Sequence, residues 1–357
     1  MQQTLETDKL HILTELRRRI ASVPFIPHKL FQSGHAQTIA NYAWVSRRRR
    51  LSKVKVASED RLFTVAPNVS VLVRCRWQEE PRKHPTVLLV HGLEGSSESI
   101  YMLGTGEKAF AANFNVLLMN MRNCGDTEHL TPTLYNSGMT DDIETVVREL
   151  IERDGLDDIF LVGFSMGGNM VLRIAGEDDA ELPAQVKAVC AVSPAIDLAA
   201  CAEKLEARSN WIYSKRFVRS LHRRIRRKHQ LYPQTYEISE LKNVRSVRDF
   251  DARYTVVHGG YRDIEDYYTS ASSLSFIKGI RRPALILHAQ DDPFIPFDAF
   301  LDSSIAANPY VIALTPAHGG HVGFVSETKT GEDRFWAENR AVEFCCLIYE
   351  QETTISS

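Results

Sequence analysis

Short, wholly apolar runs recur along this chain, separated by amphipathic stretches. PTVLLVHG (85–92), NVLLMNMR (115–122), DIFLVGFS (158–165), VKAVCAVSPA (186–195), ALILHAQ (284–290) and YVIALTP (310–316) each read as a strand covered on both faces. A half-exposed strand would instead alternate apolar and polar positions. Between them, 99–112, MTDDIETVVRELIERDG (139–155) and GGNMVLRIAG (167–176) have helical periodicity, and RFWAENRAVEFCCLIYEQ (334–351) closes the series as a further helix. The acids after Thr140 suit the positive end of a helix dipole, and Gly155 suits its stop. Apolar strands alternating with amphipathic helices predict an α/β fold: a mostly parallel central sheet flanked by helices.

Two regions depart from this rhythm. Before it, Leu10, Leu13, Leu16 and Ile20 lie at helical spacing, Pro24 and Pro27 break the chain, and RLFTVA and VSVLVRCRW flank the turn-like Pro67-Asn68. These predict an opening helix and, from residue 61, an antiparallel strand pair. Within the series, a crossover between parallel strands needs only about a dozen residues, so residues 196–278 are expected to form an inserted helical cap. The resulting division is an N-terminal helix and arm (1–60), a first core part (61–195), the cap (196–278), a second core part (279–350) and a flexible tail (351–357).

Composition narrows the function classes. Lys plus Arg number 43 against 45 Asp plus Glu, a net charge of −2 that gives no global field to gather nucleic acid. Arg47 to Arg50 read as a solvated or acid-paired loop rather than a nucleic-acid patch. The six cysteines contain no CxxC pair and no neighbouring His-rich spacing, so neither a disulfide scaffold nor a zinc site is expected. Asp141 and Asp142 are explained as helix-start acids rather than a metal pair. Neither GxGxxG after a strand nor GxxxxGK[ST] occurs, and no cofactor or metal is implied. The first residues lack the basic-then-apolar order of a signal peptide and no run is long enough to span a membrane, so a cytoplasmic location is expected.

Gly163-Phe164-Ser165-Met166-Gly167 is the only GxSxG in the chain, and it ends an apolar strand where a helix begins. That is the setting of a nucleophile elbow, in which small flanking residues permit a sharp turn that lifts the serine above the sheet. A serine hydroxyl needs a base, and the order nucleophile, acid, histidine places both partners downstream. Asp292, at a strand end and followed by Pro293-Phe294-Ile295-Pro296, is the candidate acid, with Asp291 the alternative. His321, after Gly319-Gly320, is the candidate base; His318 is read as a loop residue. The expected oxyanion donors are the backbone amides of Leu93, in His91-Gly92-Leu93-Glu94-Gly95, and of Met166.

With HGLEGSS at 91–97 and GFSMGGNM at 163–170, these residues resemble the α/β-hydrolases. GHAQT at 34–38, MRNCGDT at 121–127, FDARYTVVHGGY at 250–261, DYYTSAS at 266–272 and GGHVGF at 319–324 make the chain similar, more narrowly, to the YheT-like hydrolases. Those are relatives of the eukaryotic ABHD lipases and the yeast medium-chain ester synthases. One departure is Asn123, where the family usually has glycine before the Cys-Gly of the MRNCG element. The resemblance implies a carboxylic ester hydrolase acting on short- to medium-chain acyl esters or acylglycerol-type lipids. An acyltransferase making esters from an alcohol shares the same acyl-enzyme and stays open. A non-catalytic binding protein of this fold is the reading that an intact triad argues against.

Within the cap, KRFVRSLHRRIRRKH (215–229) contains eight Lys/Arg and no acid, with Phe217, Leu221 and Ile225 every four residues. The plainer reading is a cap helix that buries its stripe and solvates its charges. The alternative is peripheral contact of 215–229 with an anionic membrane.

Overall fold

The computed structural model describes residues 13–43, 58–177, 182–327 and 331–356. Leu10 and Arg47 to Arg50 lie outside these residues.

Eight strands form one sheet in the order β1-β2-β4-β3-β5-β6-β7-β8. They are β1 (Glu59–Ala66), β2 (Val69–Arg76), β3 (Thr86–Val90), β4 (Asn115–Met119), β5 (Ile159–Phe164), β6 (Val186–Val192), β7 (Ala284–Leu287) and β8 (Val311–Leu314). β1 pairs antiparallel with β2, and β2 with β4; the pairs from β4 through β8 are parallel.

The uninterrupted apolar strands follow from burial on both faces. Leu88 and Val90 of β3, with Ile159 and Leu161 of β5, enter one core layer, while Val87, Leu89, Phe160, Val162 and Phe164 enter the other. Successive residues of a strand point to opposite faces, so both faces call for apolar side chains. The principal helices are α1 (13–21), α2 (Gly34–Ala43), α3 (Ile100–Ala111), α4 (Asp141–Glu152), α5 (Met166–Gly176), α6 (Leu198–Glu206), α7 (Trp211–Leu231), α8 (Ile264–Ala271) and α9 (Trp336–Ser356). Leu13, Leu16 and Ile20 of α1 are buried in the second layer, as their spacing predicts. α9 continues through Ser356, its Glu350-Gln351-Glu352 segment being a good helix former, and Thr353 Oγ1 bonds back to the Tyr349 carbonyl.

Between β6 and β7 the chain leaves the sheet and builds helices α6 to α8. Leu221 and Ile225 of α7 join Leu134, Tyr236, Leu241, Val244, Phe250 and Tyr254 in a separate apolar cluster. Cys201 and Leu205 of α6 instead join the main core, and Ala202 packs with Tyr267, Tyr268 and Ala271 of α8. The helices are thus tied to the body of the protein above the carboxyl ends of the strands, where open α/β sheets hold their ligands.

Candidate active site

The turn from β5 into α5 holds Ser165 at φ 54° and ψ −115°, a strained conformation for a residue with a side chain. Its neighbours explain why the turn requires glycine. A Cβ at residue 163 would lie 2.2 Å from the Gly167 carbonyl oxygen, and one at residue 167 would lie 2.4 Å from that of Val90. Any larger side chain at either position would push the elbow off the sheet.

Ser165 Oγ lies 3.0 Å from His321 Nε2, and His321 Nδ1 lies 2.9 Å from Asp292 Oδ2. The other carboxylate oxygen of Asp292 accepts from the amides of Phe294 and Ile295 at 2.7 and 3.1 Å. Burial alone would raise the Asp292 carboxyl. The adjoining His321, His288 and the amide donors outweigh that effect and hold it below the usual carboxylate range. An ionised Asp292 with one oxygen fixed by the backbone keeps the other aimed at the imidazole. Asp291 and His318 form a separate pair at 3.1 Å on the exposed side, and Asp291 also accepts from the Gly320 amide at 2.9 Å. That pair secures the histidine loop and makes no bond to Ser165.

Leu93 and Met166 both line the cavity in front of Ser165. Among the described residues their amides donate to no other group, whereas the flanking amides are used: Gly92 donates to Tyr101 Oη at 3.1 Å and Glu94 to Tyr135 Oη at 2.9 Å. At Met166 this is the ordinary state of a first-turn helical N–H. His91 is fully buried; its Nδ1 pairs with the Gly92 carbonyl at 2.8 Å and its Nε2 accepts from the Met121 amide at 3.1 Å. Burial pushes its pKa down to about 4, so it is a neutral brace for this loop.

The bracing role of several residues, some of them inside the quoted motifs, is not readable from the sequence. Thr38 Oγ1 accepts from the His321 amide at 2.9 Å, Asn41 Nδ2 donates to the Val322 carbonyl at 2.7 Å, and Gln37 bonds both backbone groups of Val325. Thus the GHAQT segment on α2 holds the histidine loop from outside. Glu94 is gripped from the cap: Arg224 Nε lies 2.7 Å from Glu94 Oε1, Tyr135 Oη donates to the same oxygen at 3.0 Å, and Ser220 donates to Oε2. Arg224 also donates to the Asn123 carbonyl. Asn123 itself stands at φ 65°. Asparagine tolerates that left-handed region better than most residues, so the departure from glycine keeps the turn.

The cavity above Ser165 measures about 960 Å³, large enough for a lipid-sized ligand. Leu198, Ala202, Leu205, Phe217, Phe294 and Ile295 form an apolar wall, and Arg216, Arg219 and Arg223 lie toward its rim.

The alpha/beta hydrolase fold family model matches residues 85–328. Over 345 residues the chain is 30% identical to the protein YheT of Escherichia coli K12, covering 95% of this chain and 98% of that one. It is 31% identical over 277 residues to a monoacylglycerol lipase of Saccharomyces cerevisiae, covering 75% of this chain but only 60% of the yeast protein. A solved esterase of Pyrococcus furiosus has the same fold, with a TM-score of 0.52 at 17% identity over 83% of this chain and 93% of that one.

Proposed function

The chain belongs to the α/β-hydrolase family and, within it, groups with YheT; from that membership we propose that it cleaves carboxylic esters through a Ser165–His321–Asp292 triad and an acyl-enzyme. His321 Nε2 takes the hydroxyl proton as Ser165 Oγ attacks the ester carbonyl. Asp292 holds the imidazole by its Nδ1–H and stabilises the imidazolium that forms. The carbonyl oxygen, now an anion, is met by the amides of Leu93 and Met166; such donors are worth about 3–4 kcal/mol each in related chemistry. His321 then gives its proton to the departing alcohol. Water, deprotonated by the same imidazole, attacks the acyl-serine and releases the acid.

The observation carrying this reading is the continuous line of contacts from Ser165 Oγ to Asp292, built on a strained elbow that faces a cavity. The apolar wall suits a short- to medium-chain acyl group or the acyl chain of an acylglycerol-type lipid, and the name of the yeast relative supports the latter class.

The test is hydrolysis of p-nitrophenyl esters from acetate to palmitate by wild type and Ser165→Ala in parallel. Turnover should fall about 10⁴- to 10⁶-fold in the variant, with thermal unfolding unchanged. Wild-type rates in Ser165→Ala would overturn the nucleophile assignment. Product analysis with added alcohol separates hydrolysis from acyl transfer.

A further inference from the structure

The eight cations of residues 215–229 do not act as one face. Arg224 and Lys228 are buried: Arg224 holds Glu94, and Lys228 donates to the carbonyls of Glu128 and Thr131. Arg227 pairs with Asp126 and Glu128 at 3.0 and 2.9 Å. Lys215, Arg216, Arg219, Arg223 and Arg226 remain on the exposed side of α7. Of these, Lys215, Arg219, Arg223 and Arg226 enter no ion pair among the described residues. Ile212, Arg216, Arg219, Arg223 and Arg226 follow at intervals of four, three, four and three, so they share one helical face, opposite the buried Leu221 and Ile225.

Large apolar side chains stand beside these charges. Trp211 and Ile212, in the first turn of α7, are 55% and 61% exposed, and Ile39 of α2 is 54% exposed. Trp211 lies under Lys215, whose Nζ is 4.6 Å from the ring centroid. His35 of α2 stacks on Tyr213 of α7 with centroids 5.7 Å apart, which joins the two helices at this edge. The cavity opens at the same place, since Ile39, Tyr213, Arg216, Arg219 and Arg223 all line it. Glu98, also on the cavity lining, is engaged by Arg74 at 3.4 Å.

We propose that the outer face of α7, with Ile39 of α2, docks on an anionic lipid bilayer and sets the cavity mouth against the membrane surface. Cations that enter no internal ion pair attract acidic headgroups, and exposed Trp and Ile side chains insert at the headgroup boundary. An aromatic–aliphatic edge is what distinguishes this occupant from a purely acidic protein, which the charges alone would also attract. Contact is peripheral: among the described residues, no helix is long and apolar enough to cross a membrane. The delivery of substrate by this surface rests on the ester-hydrolase reading, whereas the docking itself does not.

The experiment is flotation of the full chain with phosphatidylcholine vesicles and with vesicles containing 30% phosphatidylserine. Ser165→Ala is run alongside, so that binding is read without turnover. Lys215 and Arg226 lie outside the cavity lining, so Lys215→Gln/Arg226→Gln tests charge without touching it; Trp211→Ser/Ile212→Ser tests insertion. Each neutralised cation should weaken partitioning about fivefold, roughly 25-fold for the pair, and added salt should weaken it further. Both double variants should retain wild-type turnover of a soluble short-chain ester, which also shows that they are folded. Absence of flotation, equal flotation with both vesicle types, or undiminished binding by both double variants would overturn the proposal. Loss of ester turnover in wild type with vesicle binding intact would count against the enzymatic reading alone.

Discussion

Arg224→Met is the most informative single change outside the proposed triad, because it removes one partner of a buried ion pair on the loop that carries Leu93. Each side chain of the pair is only 8% exposed. Burial by itself would raise the Glu94 carboxyl; the charge of Arg224 and the hydrogen bonds from Arg224, Ser220 and Tyr135 reverse this and hold it below its ordinary value. In wild type the pair therefore contributes stability above the unfolded carboxyl pKa, and this is lost as pH falls through the lower folded value. In Arg224→Met desolvation is no longer opposed by a cation, and the carboxyl moves above its ordinary value. The variant should then lose about 3–5 kcal/mol at pH 8, the usual cost of leaving a buried charge unpaired. The deficit should shrink as pH falls toward 5 and Glu94 takes up a proton.

Urea denaturation of both proteins between pH 5 and 8 measures this directly. Adding Glu94→Gln to the variant removes the stranded charge and should recover most of the loss. Ester kinetics supply a second readout: displacement of the Leu93 amide should lower kcat up to about 100-fold, the scale of an oxyanion donor, with KM little changed. A deficit below about 1 kcal/mol, or one independent of pH and not relieved by Glu94→Gln, would refute the assignment of this pair as the clamp on the loop.

Thr38→Val keeps the shape of a buried side chain while removing the acceptor of the His321 amide and the donor to the Gly34 carbonyl. It should cost about 1–3 kcal/mol of stability and lower kcat more than it raises KM. Asp251 is buried among Thr255 and Tyr268, and burial pushes its carboxyl up to about 6 against their hydrogen bonds. The folded chain thus keeps a proton that the unfolded chain has lost, and stability falls as pH rises from about 4 to about 6, by about 3 kcal/mol in all. Asp251→Asn lacks this slope, so its stability relative to wild type should rise over that range; a constant difference in urea midpoint would count against it. Leu205→Trp fills the apolar wall and should move the p-nitrophenyl ester optimum to shorter acyl chains.

The strands were legible because a sheet buried on both faces leaves no polar position to obscure the run, as at Val87 to Val90. The elbow was legible because GxSxG is a contiguous motif at a strand end. Gly163 is demanded by the turn itself, through the Gly167 carbonyl, although Gly167 is demanded by the distant backbone of Val90 and His91. The preference for Asp292 over Asp291 rests on the turn that follows, whose Phe294 and Ile295 amides bind the carboxylate that lies beside His321. The clamp was hidden for a physical reason. Glu94 and Arg224 are 130 residues apart, and each belongs to a motif with another apparent meaning, a glycine-rich loop and a basic helix. The same holds for Thr38 and His321, 283 residues apart. Pattern reading also treated the α7 cations alike, although burial assigns Arg224 and Lys228 to internal bonds and leaves Lys215 and Arg226 outward.

This division of labour constrains how the cavity can change. Phe217 contributes to the apolar wall from α7, two turns before Arg224, and Ser220, one turn before it, both lines the cavity and binds Glu94. A larger side chain at Ser220 would remove a hydrogen bond to Glu94 and press on the loop that presents Leu93, so a gain in acyl selectivity there would be paired with a loss in turnover. Leu198, Ala202 and Leu205 of α6 also line the cavity and make no bond to Glu94. Under the proposed mechanism, acyl-chain preference is therefore adjustable from α6 with the proposed oxyanion loop left in place. The α7 side is restricted to changes that preserve the grip of Arg224 and Ser220 on Glu94.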